Sequence, residues 1–202
     1  MIELKPASVI KVLWARKGVQ GLEVECGGQK EKALNYPFLT GEAADGDNVI
    51  LNTTAQTLRL GSGGYHFVLF NFSCSQLQLI PKGHIMKLRY TPLQLKVSTF
   101  EENYCSGESS ALEKYRGLNE LPVAVGELHS MLAPFVFVLK RILPTLNIAY
   151  IMNDDAALPL YLSDTVYLLK SSGYLRGTVT CGHAFGGDIE TVNFYTALIA
   201  AK

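Results

Sequence analysis

Leu22-Glu23-Val24-Glu25-Cys26 alternates apolar with charged residues without a break. That is the period of a strand with one face buried and one in water. Glycine turns punctuate the chain on both sides: Lys17 to Gly21 before it, Gly27-Gly28 closing a hairpin into Gln29 to Tyr36, Asp45-Gly46-Asp47 delivering Asn48 to Asn52, and Gly61-Ser62-Gly63-Gly64 turning into Tyr65 to Phe72. Ser8 to Arg16 and Thr57 to Leu60 carry the same strand character, and no helical pattern intervenes. Short strands joined by glycine turns predict a small β-barrel-like domain over residues 1–100. Phe70 and Phe72 share a strand face and are expected in its core rather than as stacking platforms for bases, so no nucleic acid partner is expected. Gly61 to Gly64 lies between strands and lacks a following Gly-Lys-Ser/Thr, which predicts a hairpin turn and not a phosphate loop. His84 to Tyr90 and Leu93 to Val97, separated at Pro92, predict two more strands, with Lys87, Arg89 and Tyr90 on or near a solvated face.

The pattern then changes. Residues 101–119 have little to bury and read as a linker with a helical turn near Ala111 to Arg116. From 120 to 202 the rhythm is strand then helix. Apolar strands are predicted at Leu121 to Val125, Asn147 to Met152 and Gly177 to Cys181. Helices are predicted at Met131 to Leu143, with Pro134 in its first turn, from about Pro159 to Gly173, and from Ile189 to Ala201 on a stripe of Ile189, Val192, Tyr195, Leu198 and Ile199. Strands apolar on both faces belong to a parallel sheet covered by helices. The fold class is α/β with an all-β N-terminal part: a barrel followed by a three-layer parallel βαβαβα domain. Its sheet is expected to be incomplete, finished either by further chain or by another subunit in a homo-oligomer.

Composition narrows the setting. Lys plus Arg and Asp plus Glu are 18 each, which gives no overall pull toward nucleic acid or an anionic membrane. Residues 1–100 hold 11 Lys/Arg against 7 Asp/Glu, and residues 101–202 hold 7 against 11. Cys26, Cys74, Cys105 and Cys181 form no C-x-x-C pair and predict reduced thiols. The segment after Met1 lacks a signal peptide's apolar core, and the longest apolar run, Met131 to Leu139, is about half a membrane span. A cytoplasmic protein with no membrane partner is expected.

In a parallel sheet the strand C-termini share one edge, where ligands bind. The sequence delivers Glu127, His129 and Ser130 to that edge after the first predicted strand. Asn153, Asp154 and Asp155 follow the second, and His183, Gly186, Gly187, Asp188 and Glu190 the third. Three chemistries fit these residue types. Asp154, Asp155 and Glu190 could hold a divalent metal, the one cofactor held open. Glu127, His129, His183 and Asp188 could carry acid–base catalysis. Gly186-Gly187, with Ser130 and Asn153, could bind a ligand, although Asp188 and Glu190 oppose an unshielded anion. Helix capping alone accounts for some of the carboxylates, with Asp188 well placed before a helix at Ile189.

Gly61 to Tyr65, Gly83-His84-Ile85-Met86-Lys87-Leu88-Arg89-Tyr90-Thr91-Pro92-Leu93-Gln94 and Gly182 to Glu190 resemble the motifs of an uncharacterised bacterial family, domain of unknown function 3866. Asn52 to Ala55 and Glu127 to Ser130 resemble it too. The resemblance covers nearly the whole chain, implies no activity, and implies that this chain corresponds to the amino-terminal part of longer proteins. The expected function is a cytosolic enzyme acting on a small polar or phosphorylated ligand at the sheet edge. The alternative is a non-catalytic module whose barrel docks a partner while the α/β part oligomerises.

Overall fold

A computed structural model describes residues 2–74, 82–105, 117–156 and 159–202. Chain contacts divide into two units, Met1–Leu79 and Ile80–Lys202. The predicted strands at 84–97 therefore pack with the C-terminal unit.

The first unit is a closed barrel. Its strands are β1 (Leu4–Arg16), β2 (Val19–Cys26), β3 (Gln29–Asn35), β4 (Asn48–Asn52) and β5 (His66–Asn71), in the order β1-β2-β3-β5-β4. All neighbours are antiparallel except β3 and β5. This is the connectivity of a five-stranded OB-type barrel. β1 is long enough to serve both ends, pairing β4 through Leu4 to Ser8 and β2 through Ser8 to Arg16. The interior is filled by Val9, Leu22, Val24, Ala33, Val49, Leu51 and Val68, small side chains suited to a narrow barrel. Beside it Asn35 and Gln20 form a buried polar junction. Asn35 Nδ2 donates to Gln20 Oε1 and Gly41 O, both at 2.8 Å, and Thr40 Oγ1 donates to Asn35 Oδ1 at 2.5 Å. This ties β2 and β3 to the short helix α1 (Pro37–Thr40).

Two expectations fail in this unit. Thr57 to Leu60 is not a strand: α2 (Thr54–Thr57) ends there and an exposed turn follows. Phe70 and Phe72 are not core but 50% and 61% exposed, in edge-to-face contact at 5.2 Å. The cause is a bulge. Leu51 pairs with Val68 and Ile50 with Phe70, so Leu69 is the extra residue. An inserted residue reverses which side chains face inward, and Asn71 is buried where alternation would have put Phe70 or Phe72.

The second unit holds the parallel sheet β10-β9-β8, formed by β8 (Ala149–Met152), β9 (Gly177–Thr180) and β10 (Ile189–Glu190). Thr99 bridges in parallel to Glu190 beside it. Thr99 follows a hairpin of β6 (Ile85–Lys87) and β7 (Leu95–Val97). One core cluster gathers Met152, Val166 and Leu160 with Val136 of α4 (Leu132–Ile142). Another gathers Val179 and Cys181 with Ala197 of α6 (Phe194–Ala201). Between β8 and β9 lies α5 (Asp164–Ser171). No described helix is long and apolar enough to cross a membrane.

The expected βαβαβα succession is altered at both ends. Leu121 to Val125 is exposed coil, and Pro122 lacks the N–H that a ladder position needs. Ile189-Glu190 is a strand rather than a helix start. Asn193 caps α6, its Oδ1 accepting from Tyr195 N at 2.9 Å and Thr196 N at 3.2 Å. Residues 101–105, expected in a linker, belong to α3 (Phe100–Cys105). The helical turn expected near Ala111 to Arg116 lies outside the described residues.

Replacing Asn35 by Leu should destabilise the barrel, because Gly41 O and Thr40 lose their partner in a buried setting. A loss of about 1–3 kcal/mol is expected from urea unfolding of the full chain, compared with Lys30→Gln as a surface control.

Candidate functional site

The sheet edge is built by loops that grip one another. After β8, Asn153 Oδ1 accepts from Asp155 N at 3.1 Å and turns the chain. This presents the Asp154 carboxylate to the loop after β9, where it accepts the His183 backbone N–H. Gly182 makes this possible. Its φ is +60°, and a Cβ there would collide with the Asp154 carboxylate. The His183 ring is held from another side, its Nδ1 accepting the Leu88 N–H at 3.0 Å. An Nδ1 that accepts is unprotonated, so the ring proton sits on Nε2.

Leu88 is placed by its neighbour. The Lys87 side chain is 1% exposed, and its ammonium donates to Glu190 Oε2 at 2.6 Å, Ala184 O at 2.5 Å and Thr180 O at 3.3 Å. Glu190 is satisfied in turn. Its Oε2 accepts from Thr180 Oγ1 and its Oε1 from Gly186 N, both at 2.7 Å. A buried ion pair is tolerable only when its remaining donors and acceptors are met, and here they are. This anchor fixes the start of a strained turn. Leu88 and Tyr90 have φ of +50° and +61°, a left-handed conformation costing about 1–3 kcal/mol for each non-glycine residue. Thr91 Oγ1 closes the turn by donating to Leu88 O at 2.7 Å. Between the two strained residues lies Arg89, exposed beside a cleft of about 310 Å³ lined by Leu88, Arg89, Thr91, Asp154 and His183.

The remaining predicted residues divide. Asp188 lies alongside Thr178 near the start of β9, away from the C-terminal edge of the sheet. It accepts from Thr178 N and Oγ1 at 2.9 Å and from Lys170 at 2.5 and 2.6 Å. Burial would raise its carboxyl, but Lys170 and Thr178 outweigh that and hold it below the ordinary range. Gly186 and Gly187 donate their N–H groups to Glu190 and, at 3.1 Å, to Thr180 Oγ1, so these amides are engaged within the protein. Asn153, Asp155, Glu127 and Ser130 are exposed. Asp154, Asp155 and Glu190 do not assemble a metal set: no group of three or more His, Cys, Asp or Glu able to hold a metal occurs among the described residues.

His129 belongs to a separate cluster. Its Nδ1 is 3.0 Å from Tyr150 Oη and its Nε2 is 2.6 Å from Ser163 Oγ. Burial pushes the His129 imidazole below its ordinary range and the Tyr150 phenol above its own. Sequence reasoning missed Lys87, Thr91, Tyr150 and Ser163 and placed Arg89 on a solvated strand. Only Ser163 carried a signal, as a serine followed by Asp164 at the head of an apolar helical stripe.

Lys87→Met should lower stability by about 3–5 kcal/mol, because Glu190 is left charged and buried. In a denaturant double-mutant cycle, adding Glu190→Leu should cost less than the two single losses combined. The His129 shift sets a pH dependence. The unfolded imidazole, near its ordinary ~6.5, takes up protons more readily than the folded one, so stability falls as pH drops through about 6.5 and levels off below the folded value. His129→Asn should remove this component from melting curves recorded between pH 5 and 8.

No curated protein and no solved structure matches this chain. One family model, described as protein of unknown function (DUF3866), matches residues 32–202. That span takes in the end of β3, β4 and β5 of the barrel, the whole second unit and every motif on which the resemblance rested. The chain belongs to this DUF3866 family of proteins of unknown function.

Proposed function

We propose that the second unit is an enzyme domain that binds a small polar ligand through an anionic group in the cleft between Arg89 and His183. The observation that carries this reading is the strained Leu88-Arg89-Tyr90 turn, held on a buried ion pair beside a cleft. Strain of this kind persists where the surrounding structure enforces it, and such positions cluster at ligand sites. Arg89 is the counter-ion, suited to a carboxylate or phosphate by its planar fork of donors. His183, its Nδ1 engaged by Leu88, offers Nε2–H as a hydrogen-bond donor to the ligand. Asp154 accepts from hydroxyl or amino groups at the other side. Free thiols at Cys26, Cys74 and Cys181 suit a reducing, cytoplasmic setting.

A second reading has its own support. α4 exposes Phe135, Phe137, Val138 and Ile142 at 45–67%, an apolar surface of the kind that meets partners. On that reading the unit is an assembly module.

Titrating inorganic phosphate and acetate against the full chain, with the histidine ring resonances as readout, separates the two. Saturable shifts at His183 are expected, weakened about tenfold or more in Arg89→Gln, which removes a charged hydrogen bond. Absence of saturation with both anions, or equal binding by Arg89→Gln, would sink the ligand reading.

A further inference from the structure

The cluster of Ser163, His129 and Tyr150 lies outside the cleft lining and has the relations of an activated nucleophile. Ser163 precedes α5 and caps it, its Oγ accepting Val166 N–H at 3.0 Å. A hydroxyl has two lone pairs and one hydrogen. The cap uses one lone pair, and the hydrogen is free to point at His129 Nε2, 2.6 Å away. The tautomer that accepts it carries its proton on Nδ1 and donates that proton to Tyr150 Oη at 3.0 Å. Nucleophile, base and orienting group thus stand in sequence, each within hydrogen-bond reach of the next.

Three further observations fit. Burial favours the neutral, proton-accepting form of His129. Ser163 and His129 are both partly exposed. Ser163 also stands at the positive end of an eight-residue helix, whose dipole favours a developing oxyanion against the opposing Asp164 carboxylate in the first turn. Tyr150 occupies the orienting position more often held by a carboxylate. A neutral phenol, which can accept or donate, permits this tautomer without stabilising the imidazolium as a charge would.

We propose that Ser163 is a nucleophile for acyl transfer from carboxylic esters, with His129 as its general base and Tyr150 as a positioning residue. Oγ bonds to the acyl carbon while its proton passes to His129 Nε2. The alcohol leaves with that proton, giving an acyl-serine. Water, deprotonated by Nε2, then attacks the same carbon, releasing the carboxylic acid and restoring Ser163. The net reaction is ester plus water to acid plus alcohol. This proposal is independent of the Arg89 cleft.

The test is reaction of the full chain with a fluorophosphonate, in which Oγ attacks phosphorus, fluoride leaves and Nε2 takes the proton. Peptide mass mapping should find the adduct on Ser163. Its rate should rise with pH through an inflection below about 6.5, the ordinary histidine value, and fall about a hundredfold or more in His129→Asn. Tyr150→Phe should slow labelling and move the inflection. Ser163→Asn retains a good helix cap, so it should melt near wild type yet take no label. No adduct at Ser163, or an adduct formed equally fast in His129→Asn, would overturn the proposal and leave these contacts as a brace between the turn before α4 and the start of α5.

Discussion

The second unit depends on one buried ion pair, Lys87 with Glu190. Each charge taken from water costs several kcal/mol even after relaxation, so the pair persists only in a fully satisfied cage. That requirement organises the surroundings. Thr180 must end β9 with its carbonyl toward Lys87 and its hydroxyl toward Glu190, and Ala184 and Gly186 must bring the following loop back over them. β10 has two residues, too few to hold a register by ladder bonds alone. Its second residue is Glu190, and the ion pair pins it beside Thr180. The same pair explains how β9 and β10 can be parallel neighbours without an intervening helix. The chain between them retreats only as far as Thr178, whose carbonyl accepts the Asp188 N–H at 2.9 Å, a distance residues 181–188 cover as a loop.

Much of the architecture was legible because periodicity reports burial directly. The unbroken alternation of Leu22 to Cys26 is β2, and Ala149 to Met152 and Gly177 to Thr180 are the parallel strands expected from continuous apolar runs. What escaped was whatever changes the period or needs a distant partner. The bulge at Leu69 reversed β5 between Val68 and Asn71, and nothing local marks it. Ile189 and Val192 are three apart, as on a helix face, but Asn193 is the cap that supplies hydrogen bonds to the first turn. Lysine is almost never fully buried unless paired, and Lys87 finds its partner 103 residues later, so local alternation placed it in water.

The candidate site shows the same division. His183 and Asp154 were expected at the sheet edge and meet there, because parallel strands deliver their following loops to one side. Arg89 and Thr91 reach the cleft from a hairpin that the linear pattern assigned to the barrel. The Ser163 and Tyr150 contacts to His129 join residues 34 and 21 positions apart, a separation over which spacing rules carry no information.

The edge also shows why a count of carboxylates misleads about chemistry. Asp154, Asp155 and Glu190 read as a metal set, and Glu127 and Asp188 as acid–base groups, but electrostatic preference follows the charge left after internal pairing. Glu190 is neutralised by Lys87, and Asp188 by Lys170 near the start of β9, away from the C-terminal edge. Asp154 is engaged by the His183 amide, while Asp155 and Glu127 stand exposed. At the cleft this leaves one carboxylate already accepting a hydrogen bond, one imidazole whose remaining nitrogen donates, and the Arg89 guanidinium. Such a set offers a divalent cation one carboxylate beside a positive guanidinium, fewer anionic ligands than a divalent site draws on. Of the acidic residues that suggested a metal, Glu190 is an internal counter-ion, and through Lys87 and Leu88 it sets the position of Arg89, whose side chain is exposed beside the cleft.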